Sequence, residues 1–310
     1  MNEFERIERR ISLHDLRVLM SVVQAGSMGK AAKRLATSQP AISRSISELE
    51  SALGVALLER SSKGIEPTAY GRALVKRGLT VFDELTQGVK DIRSLADPTL
   101  GELCVGASIA VAVGFVTSVI DRLSRRYPRM SFQVLATDTT TAYRALAERQ
   151  VDLLVAHMIE PIDQARMNAE VLLHDPHVVA AGVRNPWTRR RRTTLSDLMN
   201  EPWALPPPDA PYGSVVYEAF RASGLGVPRT VVSSTLPVRS ALLATGRFLS
   251  MVPRVVMQLQ AKPHLLKSLS IDLPTTYRPL AIVTLKNRPL GPVAELFADC
   301  ARETAKPLAQ

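Results

Sequence analysis

The sequence predicts an α+β multidomain protein, in which about a hundred mainly helical residues precede a longer segment of alternating strands and helices. Three observations carry that prediction. Apolar residues recur at helical spacing from Leu13 to Leu53; one long amphipathic run occupies Thr68 to Leu95; and from Leu100 onward short strand-like runs alternate with helical ones. The chain has 310 residues, 46% apolar and 22% charged, which corresponds to about two average domains and excludes both intrinsic disorder and a disulfide-stapled mini-protein.

The helical elements follow in order. Leu13, Leu16, Leu19, Met20 and Val23 mark a first helix, stopped by Gly26, with Ser27 as the next N-cap. Ala31, Ala32 and Leu35 mark a short second helix. Ser38 caps a third, with Pro40 in its first turn, where the missing N–H is harmless, and Ile42, Ile46, Leu49 and Leu53 as its apolar stripe up to Gly54. Leu57 and Leu58 lead to a β-turn at Ser61-Ser62-Lys63-Gly64, a small hairpin or wing. Thr68 then caps a helix of about 27 residues, roughly 40 Å long. Its positions Leu74, Val81, Leu85, Val89, Ile92 and Leu95 form a seam that lacks a member near Gly78, and pairing with a second copy would cover it. Asp97-Pro98 closes the helix.

The second segment reads as strands at Leu103–Gly106, Ser131–Leu135, Asp152–Ala156, Val178–Gly182, Trp203–Pro206, Val231–Ser233, Phe248–Val252 and Arg278–Leu285. Helical stretches separate them, an alternation that implies largely parallel sheets. Leu103 to Ile120 carries no charge over 18 residues. Its Gly and Ser residues sit where a strand-to-helix turn needs them, so it reads as a buried strand, a small-residue loop and a helix start rather than a membrane span.

Charge and cysteine content narrow the partners. Lys and Arg number 39 against 29 Asp and Glu, a formal net charge of +10 that favours polyanions or anionic surfaces. Cys104 and Cys300 are too few for a disulfide framework or a cysteine zinc cluster, and Met1–Arg10 has no apolar leader region, so a reducing cytoplasm without membrane association is expected.

The second and third helices, joined by Ala36-Thr37-Ser38, form a helix-turn-helix. With Ile42, Ile46 and Leu49 buried, Gln39, Ser43, Arg44 and Ser47 lie on the other side: short hydrogen-bonding side chains and one long cation, the types that read base edges and clamp phosphates in a major groove. Between Ser27 and Thr80 nine basic residues oppose four acids, a surplus of +5. An amphipathic bundle with a solvated polar face is the competing reading.

The string Ala31-Ala32-Lys33-Arg34-Leu35-Ala36-Thr37-Ser38-Gln39-Pro40-Ala41-Ile42-Ser43-Arg44-Ser45-Ile46-Ser47-Glu48-Leu49-Glu50 resembles the DNA-binding signature of LysR-type transcriptional regulators. Leu53 to Arg60 and Pro67-Thr68-Ala69-Tyr70-Gly71 resemble that family's wing and linker-helix start. Leu58 stands where an aromatic is usual, and Pro67 where Leu is usual. Tyr70 to Leu74 with Val81 to Leu85 look closest to members controlling sugar or aromatic-acid catabolism. The resemblance implies that Ser38, Gln39, Pro40, Ser43 and Arg44 face the major groove of double-stranded DNA, while Arg60 in the wing reaches phosphate or the minor groove. It implies dimers paired into tetramers. The residues themselves show no catalytic constellation, Gly-rich phosphate loop or zinc signature, so no enzyme activity, cofactor or metal is expected.

It also implies a winged helix-turn-helix at 1–67, a linker and dimerisation helix at 68–97, and a periplasmic-binding-protein-like effector-binding domain at 98–310. That domain would comprise subdomain I at about 98–165 and 263–310 and subdomain II at about 166–262, crossing near Asp163–Glu170 and returning near Val252–Lys262. A small-molecule effector would bind between them. Within such a module, residues just after strand ends line the cleft, where helix N-termini offer free N–H groups. This selects Ser108, Asp138-Thr139-Thr140, His157, Pro206 to Pro208 and Ser234-Thr235, a set of hydroxyls suited to a carboxylate or a polyol. N-capping is the competing role for Thr140 and Thr235, and a plain loop position for His157.

Arg189–Arg192 beside Trp187 reads as a solvated loop, with a second polyanion site as the alternative. His174 and His177 flank Pro176 in an extended segment and lack a third ligand, so they form no metal pair. The competing functions are a constitutive DNA-binding regulator without effector, and a small-molecule enzyme with an accessory helical domain.

Overall fold

A computed structural model of the chain describes residues 10–61, 64–97, 100–259, 265–271, 273 and 276–309. The chain divides into two compact units, Met1–Gly88 and Val89–Gln310.

In the first unit, α1 (Leu13–Ala25) begins on a reciprocal cap: Ser12 Oγ accepts from the Asp15 N–H at 3.2 Å, and the Asp15 carboxylate accepts from the Ser12 N–H at 3.1 Å. Helix α2 (Met28–Arg34) follows, then α3 (Gln39–Leu53), whose cap Ser38 accepts from Ala41 N–H at 3.4 Å. Gly26 and Gly54, at φ +63° and +70°, end α1 and α3 in the left-handed conformation that costs glycine least. Val18, Leu19, Val22, Ala31, Ile42, Ile46, Leu49 and Leu57 pack into one core, each larger side chain contributing roughly 1.5–3 kcal/mol of burial. The wing is β1 (Leu58–Ser61) paired antiparallel with β2 (Gly64–Pro67), and its expected tip residues Ser62 and Lys63 lie outside the described residues. Glu50 Oε1 accepts from the Leu57 and Leu58 N–H groups at 2.7 and 3.2 Å, fixing the entry to the wing.

The long helix α4 spans Ala69–Ala96. Thr68 Oγ1 accepts from Gly71 N–H at 3.1 Å, making Thr68 its cap. Gly78, the gap in the apolar seam, faces α1: a Cβ there would lie 3.0 Å from Met20 Sδ. Val81, Leu85, Val89, Ile92 and Leu95 are exposed.

The second unit contains two five-stranded sheets. Its elements are β3 (Gly101–Ser108), α5 (Ile109–Val111) running through a π turn into α6 (Thr117–Arg126), β4 (Met130–Thr137), α7 (Thr139–Ala147), β5 (Leu153–His157), β6 (Met167–Asp175), β7 (His177–Gly182), β8 (Trp203–Leu205), α8 (Pro211–Ala222), β9 (Thr230–Ser233), α9 (Leu236–Ala244), β10 (Leu249–Pro253), α10 (Arg254–Gln258), β11 (Leu266–Ser268), β12 (Arg278–Leu285) and α11 (Pro292–Ala305). The first sheet has the order β4-β3-β5-β12-β6, the second β11-β7-β10-β8-β9.

Two expectations are corrected here. The sheets are mixed rather than largely parallel: β12 runs antiparallel to β5 and β6, and β7 antiparallel to β10 and β11. The crossing between sheets also falls later than Asp163–Glu170. Strand β6 pairs along its whole length with β12 in the first sheet, so the chain crosses at Pro176, between β6 and β7. The return lies beyond β11 instead of within 252–262, because β11 pairs with β7 in the second sheet. The uncharged stretch from Leu103 forms β3 and then turns directly into the α5–α6 helical run. Asp152, at the start of β5, accepts from Cys104 N–H and from buried Arg288, each at 2.8 Å. Burial pushes the Cys104 thiol up, away from the reactive thiolate. Among the described residues, no helix is long and apolar enough to cross a membrane.

Candidate functional site

The helix-turn-helix exposes the residues expected to reach a groove. Ile42, Ser45, Ile46 and Leu49 turn into the core of the first unit, which leaves Ser38, Gln39, Pro40, Ser43, Arg44 and Ser47 exposed on one continuous face of α3. Ser45 is held inward because its hydroxyl donates to Asp15 Oδ1 at 2.8 Å. Burial pushes the Asp15 carboxyl up, but the hydrogen bonds from Ser12 and Ser45 outweigh it and hold the group below its ordinary value. The acids of α3 fall at Glu48 and Glu50, in its C-terminal half, and Glu50 is engaged by the wing. An exposed helix face with hydroxyls, an amide and one guanidinium, and no carboxylate in its first two turns, suits a polyanion with readable edges. The backbone of Arg60 pairs with Ile65 in the wing, and its side chain lies outside the described residues.

The second site is a cleft within the second unit, a cavity of about 150 Å³ lined from both sheets. Ser108 ends β3 and Thr139 begins α7 on one side, while Pro206 follows β8 on the other. The helices α7, α8 and α9 all start at this cavity, so their positive dipole ends converge on it. Gly213 allows this packing at α8, because a Cβ there would lie 1.9 Å from the Pro207 carbonyl oxygen. Tyr212 therefore reaches across from α8: its hydroxyl lies 3.1 Å from Ser108 Oγ and 2.7 Å from His157 Nδ1. The His157 ring is held in turn by Asp175, at 2.8 Å from Nε2, and the Asp175 carboxylate also accepts from Val255 N–H at 3.1 Å. Burial pushes the Tyr212 phenol up, so it stays neutral.

Of the expected cleft residues, Ser108, Thr139 and Pro206 line the cavity together with Ser234 and Thr235. Thr140 does not; it is exposed on α7, whose cap is Asp138, accepting from Thr141 N–H at 2.9 Å. His157 is neither a loop residue nor a cavity wall: it is the last residue of β5, fully buried behind Tyr212, with both ring nitrogens engaged. Three side chains that sequence reasoning did not select complete the site: Tyr212, His177 and Arg239. Arg239 had a signal, being the one charge in the buried stripe Leu236, Arg239 and Leu243 of α9.

The remaining sequence candidates stay apart from both sites. Arg189–Arg192 are exposed, with the Arg190 guanidinium 5.8 Å from the centre of the Trp187 ring. His174 is exposed while His177 is buried. Among the described residues no group of three His, Cys, Asp or Glu side chains is placed to hold a metal ion.

Two family profiles match the chain: one described as bacterial regulatory helix-turn-helix protein, lysR family, over residues 13–72, and one described as LysR substrate binding domain over residues 96–306. The HTH-type transcriptional regulator GbpR of Azospirillum brasilense is 26% identical, over 93% of this chain and 85% of its own. The HTH-type transcriptional regulator TdcA of Escherichia coli (strain K12) is 24% identical, over 76% and 75%. Among solved structures, a full-length OxyR variant from Pseudomonas aeruginosa superposes with a TM-score of 0.67 at 24% identity, covering 94% of this chain and 95% of that one. Full-length CbnR complexed with its target DNA gives 0.66 at 21% identity, covering 95% and 100%.

Proposed function

The chain belongs to the LysR family of DNA-binding transcriptional regulators, and we propose that it reads its operator through the exposed face of α3 while a small metabolite seated in the cleft of the second unit sets the strength of that binding. It is a regulator and not an enzyme, with a helix-turn-helix for DNA and a substrate-binding-type domain for an effector; proteins of this family also oligomerise. In the proposed division of labour Gln39, Ser43 and Arg44 contact base edges and phosphate. Ser38 caps the helix at the groove, Pro40 offers an apolar contact such as a thymine methyl, and Arg60 reaches phosphate beside the groove.

The observation that carries this reading is the clean separation of the two faces of α3, with Ile42, Ile46 and Leu49 buried and Ser43, Arg44 and Ser47 exposed. Ser108 and Thr139 support the cleft as effector site, since both are buried hydroxyl residues on its wall. The seam Val81 to Leu95 supports pairing of α4 with a second copy, and two such dimers would make the tetramer. A DNA-binding role supports a cytoplasmic location.

Footprinting on the promoter upstream of its own gene, with metabolites added, tests the function. Arg44→Ala and Ser43→Ala should abolish the specific footprint while leaving the fold intact, each lost base contact costing about 1–3 kcal/mol. Wild-type affinity in both variants would remove α3 as the reading element.

A further inference from the structure

Three buried polar atoms on the wall of the cleft have no hydrogen-bond partner among the described residues: Arg239 Nε, His177 Nε2 and Thr139 Oγ1. Unpartnered buried polar atoms are rare in folded proteins because each costs free energy, and three around one cavity call for a shared explanation. Arg239 is only 5% exposed. Its Nη1 donates to Ser250 Oγ at 2.9 Å and to the Met251 carbonyl at 3.0 Å, so the fork is anchored on one side. Neither of those partners is charged, and no carboxylate pairs with the guanidinium among the described residues. Burial lowers the group to about 10, which still leaves it cationic at neutral pH.

The tautomer of His177 follows from its neighbour. Its Nδ1 lies 3.4 Å from the Thr276 carbonyl oxygen, which can only accept, so Nδ1 carries the proton. Burial and the nearby His157 pull the ring down to about 3, keeping it neutral. Nε2 is therefore a lone-pair acceptor waiting for a donor. Ile109, Val216, Leu236 and Met251 are apolar members of the same wall, and Ser108, Asp138, Ser234 and Thr235 are polar ones.

We propose that the cleft takes a small carboxylic acid carrying a hydroxyl, with its carboxylate on the Nε side of Arg239 and its hydroxyl donating to His177 Nε2. The proposal rests on reading the cleft as the effector site and names the ligand class for it. One guanidinium edge matches the two oxygens of a carboxylate. A phosphate dianion would bring a second charge to a wall where, among the described residues, Arg239 is the one Lys or Arg and Asp138 is a carboxylate, and a neutral polyol would leave the buried cation uncompensated. The cavity, at about 150 Å³, is of the size that accommodates a single benzene-like ring. That limits the acid to a short chain or one ring.

Calorimetry on the full-length protein tests the assignment with 3-hydroxybutyrate, butyrate and 3-hydroxybutyramide, and with the corresponding hydroxybenzoate, benzoate and hydroxybenzamide. In at least one series the hydroxy acid should bind at least tenfold tighter than its amide, and tighter than the acid lacking the hydroxyl. Arg239→Gln should erase the preference for acid over amide, and Arg239→Lys should retain part of it. His177→Phe should erase only the preference for the hydroxyl, and circular dichroism confirms that each variant folds. Equal binding of acid and amide by the wild type, failure of both acid series to bind, or an unchanged acid affinity in Arg239→Gln overturns the proposal. Filling the cavity with Ala210→Trp separates this from failure of the underlying reading. If the filled protein loses the acid while Arg239→Gln keeps it, the cleft stands and the anion assignment falls. If the filled protein binds the acid normally, both fall.

Discussion

Replacing Leu85 and Ile92 by Lys should dissociate the assembly without unfolding the chain. In the isolated chain Leu85 is 48% and Ile92 is 68% exposed, and Val81, Val89 and Leu95 share their stripe. A partner helix covering that stripe removes about half of each side chain from water, worth roughly 1 kcal/mol apiece on a scale of about 1.5–3 kcal/mol for full burial. Ten such side chains in a symmetric pair supply on the order of 10 kcal/mol, similar in size to the estimated cost of association, about 4–15 kcal/mol. The pairing is therefore close to balance. Losing four of the ten, and desolvating four ammonium groups in their place, removes at least about 4 kcal/mol, a dimer constant weakened roughly a thousandfold. Sedimentation velocity at micromolar protein reads this directly, and circular dichroism confirms that the helix remains. Unaltered sedimentation of the double variant would refute the reasoning and put the self-contact on another surface.

Operator affinity should fall by about 10³–10⁵ between roughly 50 and 200 mM salt if a dimer sets about 6–10 cations on phosphates; a flat profile in fluorescence anisotropy points away from DNA. Asp15 is held below its ordinary value by Ser12 and Ser45, so it adds stability above its unfolded value of about 3.9, and that increment disappears as pH falls through the lower folded value. Urea midpoints of wild type and Asp15→Asn should accordingly converge below about pH 4 and separate above it; parallel curves would contradict the assignment. Tyr212→Phe strips a partner from Ser108 and from buried His157, and an orphaned buried group costs about 1–3 kcal/mol; urea unfolding that matches wild type would show that the phenol does not hold the two sheets. Arg288→Ala removes a buried guanidinium that lies 2.8 Å from the Asp152 carboxylate, and breaking such a pair typically costs about 3–5 kcal/mol; thermal melting should drop by many degrees, and an unchanged melt would contradict a buried ion pair.

The exposed face of α3 was legible because its information is local. The Ser38 cap, the glycine stops at Gly26 and Gly54 and one stripe at i, i+4 and i+7 place Ser43 and Arg44 outward with no reference to anything distant. The strand-end rule reached Ser108, Thr139 and Pro206 for the same reason, since a strand and the helix after it are neighbours in sequence. It overreached at Thr140, one residue further into α7, because consecutive helical positions point about 100° apart. Strand β6 escaped recognition because it is an edge strand paired only with β12, and its Asn168, Glu170 and His174 dilute the apolar pattern. The error in the crossing point follows from that omission. Tyr212, His157 and Asp175 come from three separate elements, and nothing in the sequence spacing announces that they meet.

The residues hidden from the sequence are also those that link the two sheets of the second unit. Tyr212 belongs to α8, beside the second sheet, yet both of its hydrogen bonds go to strand ends of the first, at Ser108 and His157. Arg239 and His177 belong to the second sheet's side, and Thr139 to the first. A ligand that satisfies Arg239 and His177 while touching Ser108 or Thr139 must engage both halves, and it shares Ser108 with Tyr212. Its binding free energy thus depends on how far the two halves are closed, which is the differential affinity any switch requires. If closure is passed to the operator-bound state with a coupling of the usual size, about 1–3 kcal/mol, effector changes DNA affinity by a modest factor and DNA changes effector affinity by the same factor. Leaving a guanidinium edge unsatisfied in the cleft costs the unliganded protein stability, and a carboxylate on that edge would shift the two halves only so far as it binds one arrangement of them better than the other.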